Sequence, residues 1–258
     1  MNQHSGKTML KQTFAGVTRR FVKDSERPLA SKATEQSQLP LVIEAGEQRD
    51  LAFATALLKQ HSTEIMDDVH EYGAVLLRGF AVQTAQDLEQ LTSSIKQLSP
   101  MTRYFMSEPG RKVVPGTKSV FNTNSIAKTG GGFVFGAFHS ENYHSPDVPA
   151  YVSFCPLQQP WYGSETCLVN TAALYAELPK NLQQKLTLRP YCTTVWPLTT
   201  VAQQQQLSVE EAQKYCESIG LGIVDKHEQG KFVVLNKPSV FRHPANNCFS
   251  SKRNNFKY

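Results

Sequence analysis

The chain is poor in cysteine that could pair. It has five cysteines, Cys155, Cys167, Cys192, Cys216 and Cys248, an odd number with no Cys-x-x-Cys pair. That excludes a disulfide framework and a structural zinc site, and predicts free, buried thiols in a reducing compartment. No stretch approaches the ~20 apolar residues of a membrane span, and the N-terminus lacks the apolar core of a signal peptide. A cytoplasmic protein with no membrane partner is the expectation. Charge of one sign is in small excess: 27 basic residues against 22 acidic give a formal +5. Part of that surplus sits at Arg19, Arg20, Lys23, Lys252, Arg253 and Lys257. No basic stripe interleaves with aromatics, so the surplus reads as a solvated surface and no nucleic-acid partner is expected. Internal repeats and heptads are absent. Gly130-Gly131-Gly132 is followed by no Gly-Lys-Ser/Thr, which excludes a phosphate loop and leaves a flexible lip.

What is present is an ordinary globular composition. The 258 residues are 40% hydrophobic and 19% charged, enough for one large domain with a core. Residues 1–38 are polar and read as a flexible extension with a short ordered piece around Phe14–Val22. Residues 39–258 read as the folded domain, starting at Leu39-Pro40-Leu41-Val42-Ile43. A helix is predicted over 49–70, where Leu51, Ala54, Leu57 and Leu58 share a face. Gly73–Phe80 reads as a buried strand ended by a glycine turn. A second helix is predicted over 84–97, with Leu88, Leu91 and Ile95 on one side. Strands are expected near Ser119–Thr123 and at Phe133–His139, Ala150–Cys155, Glu165–Val169, Phe232–Leu235 and Ser239–His243. Helices are expected at 171–187 and 208–219, the latter with Ser208 and Glu211 at capping-box spacing. Gln203–Gln206 reads as a polar loop. The class is α+β with a β core.

The chemistry concentrates at His139-Ser140-Glu141. In an extended strand, residues i and i+2 face the same side. One imidazole nitrogen and one carboxylate oxygen could then meet on one ion, as two members of the 2-His-1-carboxylate triad that holds non-heme Fe(II). Asn142 and Tyr143 follow as candidates for lining a pocket or for packing. His144 reads as a turn residue and His227 as an exposed one. His4, His61 and His70 fall in the tail or on helices. His243 is the one late candidate for a third ligand.

The surroundings are more specific than the triplet. The stretch from His139 through Tyr143, Pro146, Pro149, Phe154 and Cys155, then Gly163-Ser-Glu165-Thr166 and Asn170, resembles the TauD/TfdA family of Fe(II)- and 2-oxoglutarate-dependent dioxygenases. Within it, the resemblance is to the clavaminate-synthase-like and SyrP-like branch. Gly73-Ala-Val-Leu-Leu-Arg78-Gly79-Phe80, Asn170–Pro179 and Lys237–Pro244 are similar to further family segments in the same order. The resemblance implies a double-stranded β-helix, or jelly roll, with outer helices. It implies Fe(II) and 2-oxoglutarate as cofactors, His139 and Glu141 as metal ligands, and Thr166 against a carboxylate of 2-oxoglutarate. Taken by itself, Thr166 is equally a strand residue with its methyl in the core. A small-molecule substrate, amino-acid-derived in this branch, and dioxygen are the implied partners, with a homo-oligomer left open.

The resemblance also implies features that the sequence does not supply. The family has a distal His after its late hairpin and an Arg beyond it for 2-oxoglutarate. After His243 comes no further His, and Arg253 stands in a polar tail. The expectation is a C-terminally truncated family member lacking its last strands. Two functions follow: an oxygenase that hydroxylates an unactivated C–H bond, or an inactive remnant or binding module on the same scaffold.

Overall fold

The computed structural model describes residues 13–26, 39–102, 104–106, 112–123, 138–158, 161, 166–188, 191–242 and 249–251. They fall into two compact units, one within Met1–Ser99 and Ser153–Thr166, the other within Pro100–Val152 and Cys167–Tyr258. No helix among the described residues is long and apolar enough to cross a membrane.

The first unit is built on a three-stranded sheet. Strand β1 (Val17–Phe21) runs antiparallel to β2 (Leu41–Ala45), and β2 runs parallel to β3 (Val75–Arg78). A parallel pair needs a crossover, and helices α1 (Leu51–Gln60) and α2 (Ser62–Tyr72) supply it. Central β2 is an apolar run in which Leu41, Val42 and Ile43 are fully buried, each contributing roughly 1.5–3 kcal/mol by leaving water. The predicted face of α1 is the buried one: Ala54, Leu57 and Leu58 pack with Ile43, Phe14, Ile65 and Leu91. Helix α3 (Ala85–Ser94) brings Leu91 to that core and is opened by a capping box between Thr84 and Asp87. Gly73 ends α2 in the left-handed region at φ 76° and Gly79 ends β3 at φ 80°. The two glycines of the Gly73–Phe80 segment thus mark its ends, where L side chains would be strained.

Successive residues of β1 serve opposite faces. Arg19 reaches Asp68 on α2 in a pair that is almost fully buried, and its guanidinium lies 4.7 Å from the centre of the Phe14 ring. Burial pushes the Asp68 carboxyl up, against the pull of Arg19. Arg20 instead bonds Glu26 at 2.7 Å and Glu44 at 2.8 Å, and Arg78 joins through Glu26. Arg20, then the backbone N–H of Lys23 and the charge of Arg78, hold the Glu26 carboxyl down at about 2. So the arginine of the Gly73–Phe80 segment belongs to an ion network.

The second unit carries an antiparallel sheet in the order β4 (Tyr191–Pro197), β6 (Lys231–Pro238), β5 (Gly222–Asp225). Helices α6 (Leu198–Gln205) and α7 (Val209–Ser218) link β4 to β5 and pack on the sheet. Its core joins Leu198, Val201 and Ala202 of α6, Ala212 and Cys216 of α7, Leu221, Val233 of β6, and Phe105. Ser208 caps α7, with its hydroxyl accepting from Glu211 N and the Glu211 carboxylate accepting from Ser208 N. Helices α4 (Thr171–Glu177) and α5 (Lys180–Leu188) and the pair β7 (Val240–Arg242) and β8 (Phe249–Ser251) complete it.

Several expectations are corrected. Ala150–Cys155 and Thr166–Val169 are irregular, because their apolar residues find no ladder partner. The helix expected over 171–187 is two, broken at Leu178-Pro179, where proline cannot continue the hydrogen-bond ladder of the turn before it. Gln203–Gln205 is the last turn of α6, with Gln206 closing it at φ 56°. Near Ser119–Thr123 there is one isolated bridge, Val113 to Phe121. Among the described thiols Cys216 is buried, Cys155 is half-buried, and Cys167 is exposed on the irregular approach to α4. No sheet among the described residues exceeds three strands, so the architecture seen is α+β with small sheets. The strand expected at Phe133–His139 lies outside the described residues up to position 137, as do Gly130–Gly132, Glu165, His243, Cys248 and Arg253.

Candidate metal centre

His139 and Glu141 stand on a turn, not a strand. Phe138–Ser140 is irregular backbone and Glu141–His144 is a hydrogen-bonded turn. Tyr143 N donates to Ser140 O at 3.3 Å and Ser145 N to Asn142 O at 2.9 Å. Asn142 sits in the left-handed region at φ 55°, which asparagine tolerates better than most residues. These local bonds win over a strand ladder, and the two-residue alternation expected at this triplet is lost. Ser140 is buried, whereas His139 is exposed and Glu141 half-exposed.

The turn is held from inside by polar side chains. Asn142 is buried and donates through Nδ2 to Asp147 O at 3.0 Å and to Asp147 Oδ1 at 3.1 Å. Ser145, fully buried, donates its hydroxyl to the same Oδ1. The other carboxylate oxygen of Asp147 accepts from Phe105 N at 2.5 Å. Lys237 Nζ on β6 donates to Ser145 O. Phe105 is itself locked into the core, edge-to-face with Trp196 at 5.6 Å and stacked with Tyr215 at 6.2 Å, and Gln205 Nε2 donates to its carbonyl at 2.6 Å. Asn142 is therefore packed inside the turn and organises it. Tyr143 packs edge-to-face on His144, ring centres 5.4 Å apart.

Sequence reasoning missed Asp147, Ser145 and Lys237. The dense run of turn-formers from Asn142 to Asp147 was the available signal. Thr166 is exposed, on irregular backbone of the first unit. His144 is the turn residue expected, and His227 is exposed at φ 48°. His61 stacks on Phe14 at 4.2 Å.

An imidazole nitrogen and a carboxylate oxygen are donors that suit Fe(II). Among the described residues no group of three His, Cys, Asp or Glu side chains gathers.

Residues 32–252 match the family described as "Taurine catabolism dioxygenase TauD, TfdA family". No curated protein gives a match. The match takes in the turn that carries His139 and Glu141, strands β2 to β8 and helices α1 to α7, and the chain belongs to the TauD/TfdA family.

Proposed function

We propose that the chain is an Fe(II)- and 2-oxoglutarate-dependent oxygenase that hydroxylates an unactivated C–H bond of a small, amino-acid-derived substrate. The observation that carries this is family membership over residues 32–252, with His139 and Glu141 on one solvent-facing turn. In this reading His139 gives a neutral imidazole lone pair to the metal, leaving its second ring nitrogen to orient the ring. Glu141 gives a carboxylate oxygen and offsets part of the ion's charge. The Thr166 hydroxyl donates to a carboxylate of 2-oxoglutarate. The retained carboxylate ligand argues for hydroxylation over halogenation, which needs that coordination position for chloride. When bound, Fe(II) with 2-oxoglutarate supplies the means to use dioxygen as the oxidant, the cosubstrate leaving as succinate and carbon dioxide. The scaffold is a double-stranded β-helix of the clavaminate-synthase-like branch over 39–258, with Phe14 and strand β1 of the preceding polar segment packed onto it. The substrate class rests on analogy within that branch.

The test is an anaerobic titration of Fe(II) and 2-oxoglutarate, following the weak metal-to-ligand charge-transfer band in the visible. The expected result is a band in the wild type that is lost in His139→Ala and in Glu141→Ala. Absence of the band in folded wild-type protein would sink this reading in favour of a binding module or inactive member on the same scaffold.

A further inference from the structure

We infer that Asp147 is a positioning residue: its carboxylate gathers Ser145, Asn142 and Phe105 and so fixes the turn that carries His139 and Glu141. The inference rests on the metal reading above. An irregular turn has no ladder to define it, and two donors six and eight residues upstream of Asp147 need a fixed frame to bind one ion. Asp147 provides it with both oxygens. Oδ1 accepts from Ser145 Oγ and, at 3.1 Å, from Asn142 Nδ2. Oδ2 accepts from Phe105 N at 2.5 Å. Each of these donors is uncharged, and hydrogen bonds to a carboxylate are the strong kind. Through Phe105 the turn is tied to the core cluster of α6, α7 and β6. Lys237 adds a second tether, from β6 to Ser145 O. Metal sites whose supporting hydrogen bonds are removed typically lose 10- to 100-fold in affinity.

Asp147→Asn keeps the shape but turns one oxygen into a donor, which cannot satisfy both ends. Lys237→Met removes the second tether and leaves the carboxylate alone. Gln205→Ala removes the bond to Phe105 O without touching the Asp147 carboxylate or its donors and serves as the structural control. Three quantities are read: the Fe(II) dissociation constant by anaerobic calorimetry, the thermal midpoint, and amide exchange at Tyr143 and Ser145 in metal-free protein. The expected result is Fe(II) affinity about 10- to 100-fold weaker in Asp147→Asn, with faster exchange at both amides. Lys237→Met should show a smaller effect of the same sign, and Gln205→Ala a lowered midpoint with unchanged affinity. Equal affinity in Asp147→Asn and wild type, or an equal loss in Gln205→Ala, overturns the positioning role while the metal reading stands. A wild type that binds no Fe(II), whatever its amide protection, defeats the metal reading and the positioning role with it.

Discussion

Phe105 is where packing and the ligand turn meet, and its truncation gives the most demanding test. Its side chain is 4% exposed and lies against Trp196 and Tyr215 within the core of the second unit. Phe105→Ala removes the ring, and phenylalanine truncations in cores cost about 3–5 kcal/mol. The two aromatic contacts, worth about 0.5–1.5 kcal/mol each, are part of that loss. Against a typical domain stability of about 5–15 kcal/mol, the variant should be folded but fragile. Phe105→Leu keeps most of the volume and should lose only about 1–1.5 kcal/mol. The assay is urea unfolding followed by Trp196 fluorescence in a Trp161→Phe background. Trp161 is 98% exposed, so its replacement removes signal and little stability. The expected result is a midpoint shift in the order Ala, then Leu, at constant slope, with a red-shifted Trp196 emission in the Ala variant. A loss under about 1 kcal/mol for Phe105→Ala, below the core-truncation range, or an unchanged Trp196 spectrum, would refute the assignment of Phe105 to this core.

Three other outcomes follow from the same residues. Ser208→Ala deletes the acceptor for Glu211 N at 3.2 Å and should cost about 1 kcal/mol, read by thermal melting. Gly73→Ala forces a side chain into a left-handed C-cap at φ 76° and should cost about 1 kcal/mol, where a gain in stability would contradict the geometry. Glu26, held at about 2 by Arg20 first, has a folded value below its ordinary 4.5. Its contribution is therefore complete above about pH 4.5 and is lost as pH falls towards 2. Glu26→Gln should flatten that acid limb in melting curves recorded against pH and leave the curve near neutrality with the smaller dependence.

The elements that sequence spacing captured are those whose signal is local. Leu51, Ala54, Leu57 and Leu58 declare a helical face through their own spacing, and three of the four are buried on it. Ser208 and Glu211 declare a cap because both partners lie within one turn. Strand β4 was missed although Thr193-Thr194-Val195-Trp196 is rich in β-formers, since its pairing with β6 joins residues 43 apart at Thr193 and Asn236. The converse error has the same cause. Tyr151–Cys155 is as apolar and β-prone as a strand should be, but such a run forms a strand only where a partner ladder exists, and Phe154 there is 54% exposed. Helix α6 hid behind its glutamines: Leu198, Val201 and Ala202 are buried in the core, Gln203 and Gln204 continue the last turn exposed, and Gln205 turns back to bond Phe105 O.

The candidate site divides along the same line. His139 and Glu141 could be singled out in the sequence because the capacity to bind a metal belongs to the side chain. Their conformation was not, because the turn that bears them is fixed from a distance. Phe105 lies 42 residues before Asp147, and Lys237 lies 92 residues after Ser145. Buried polar groups must be bonded, and Ser140, Asn142 and Ser145 are all buried. A polar turn sunk against an apolar core is stable only if its own side chains satisfy its donors. Asp147, with two oxygens and three donors, is the residue that closes that account. The triplet could not form an ordinary exposed loop with Ser140 inside. Nor could it form a strand with Asn142 at positive φ. The turn geometry follows from those two constraints together, and it leaves His139 exposed and Glu141 half-exposed on either side of buried Ser140.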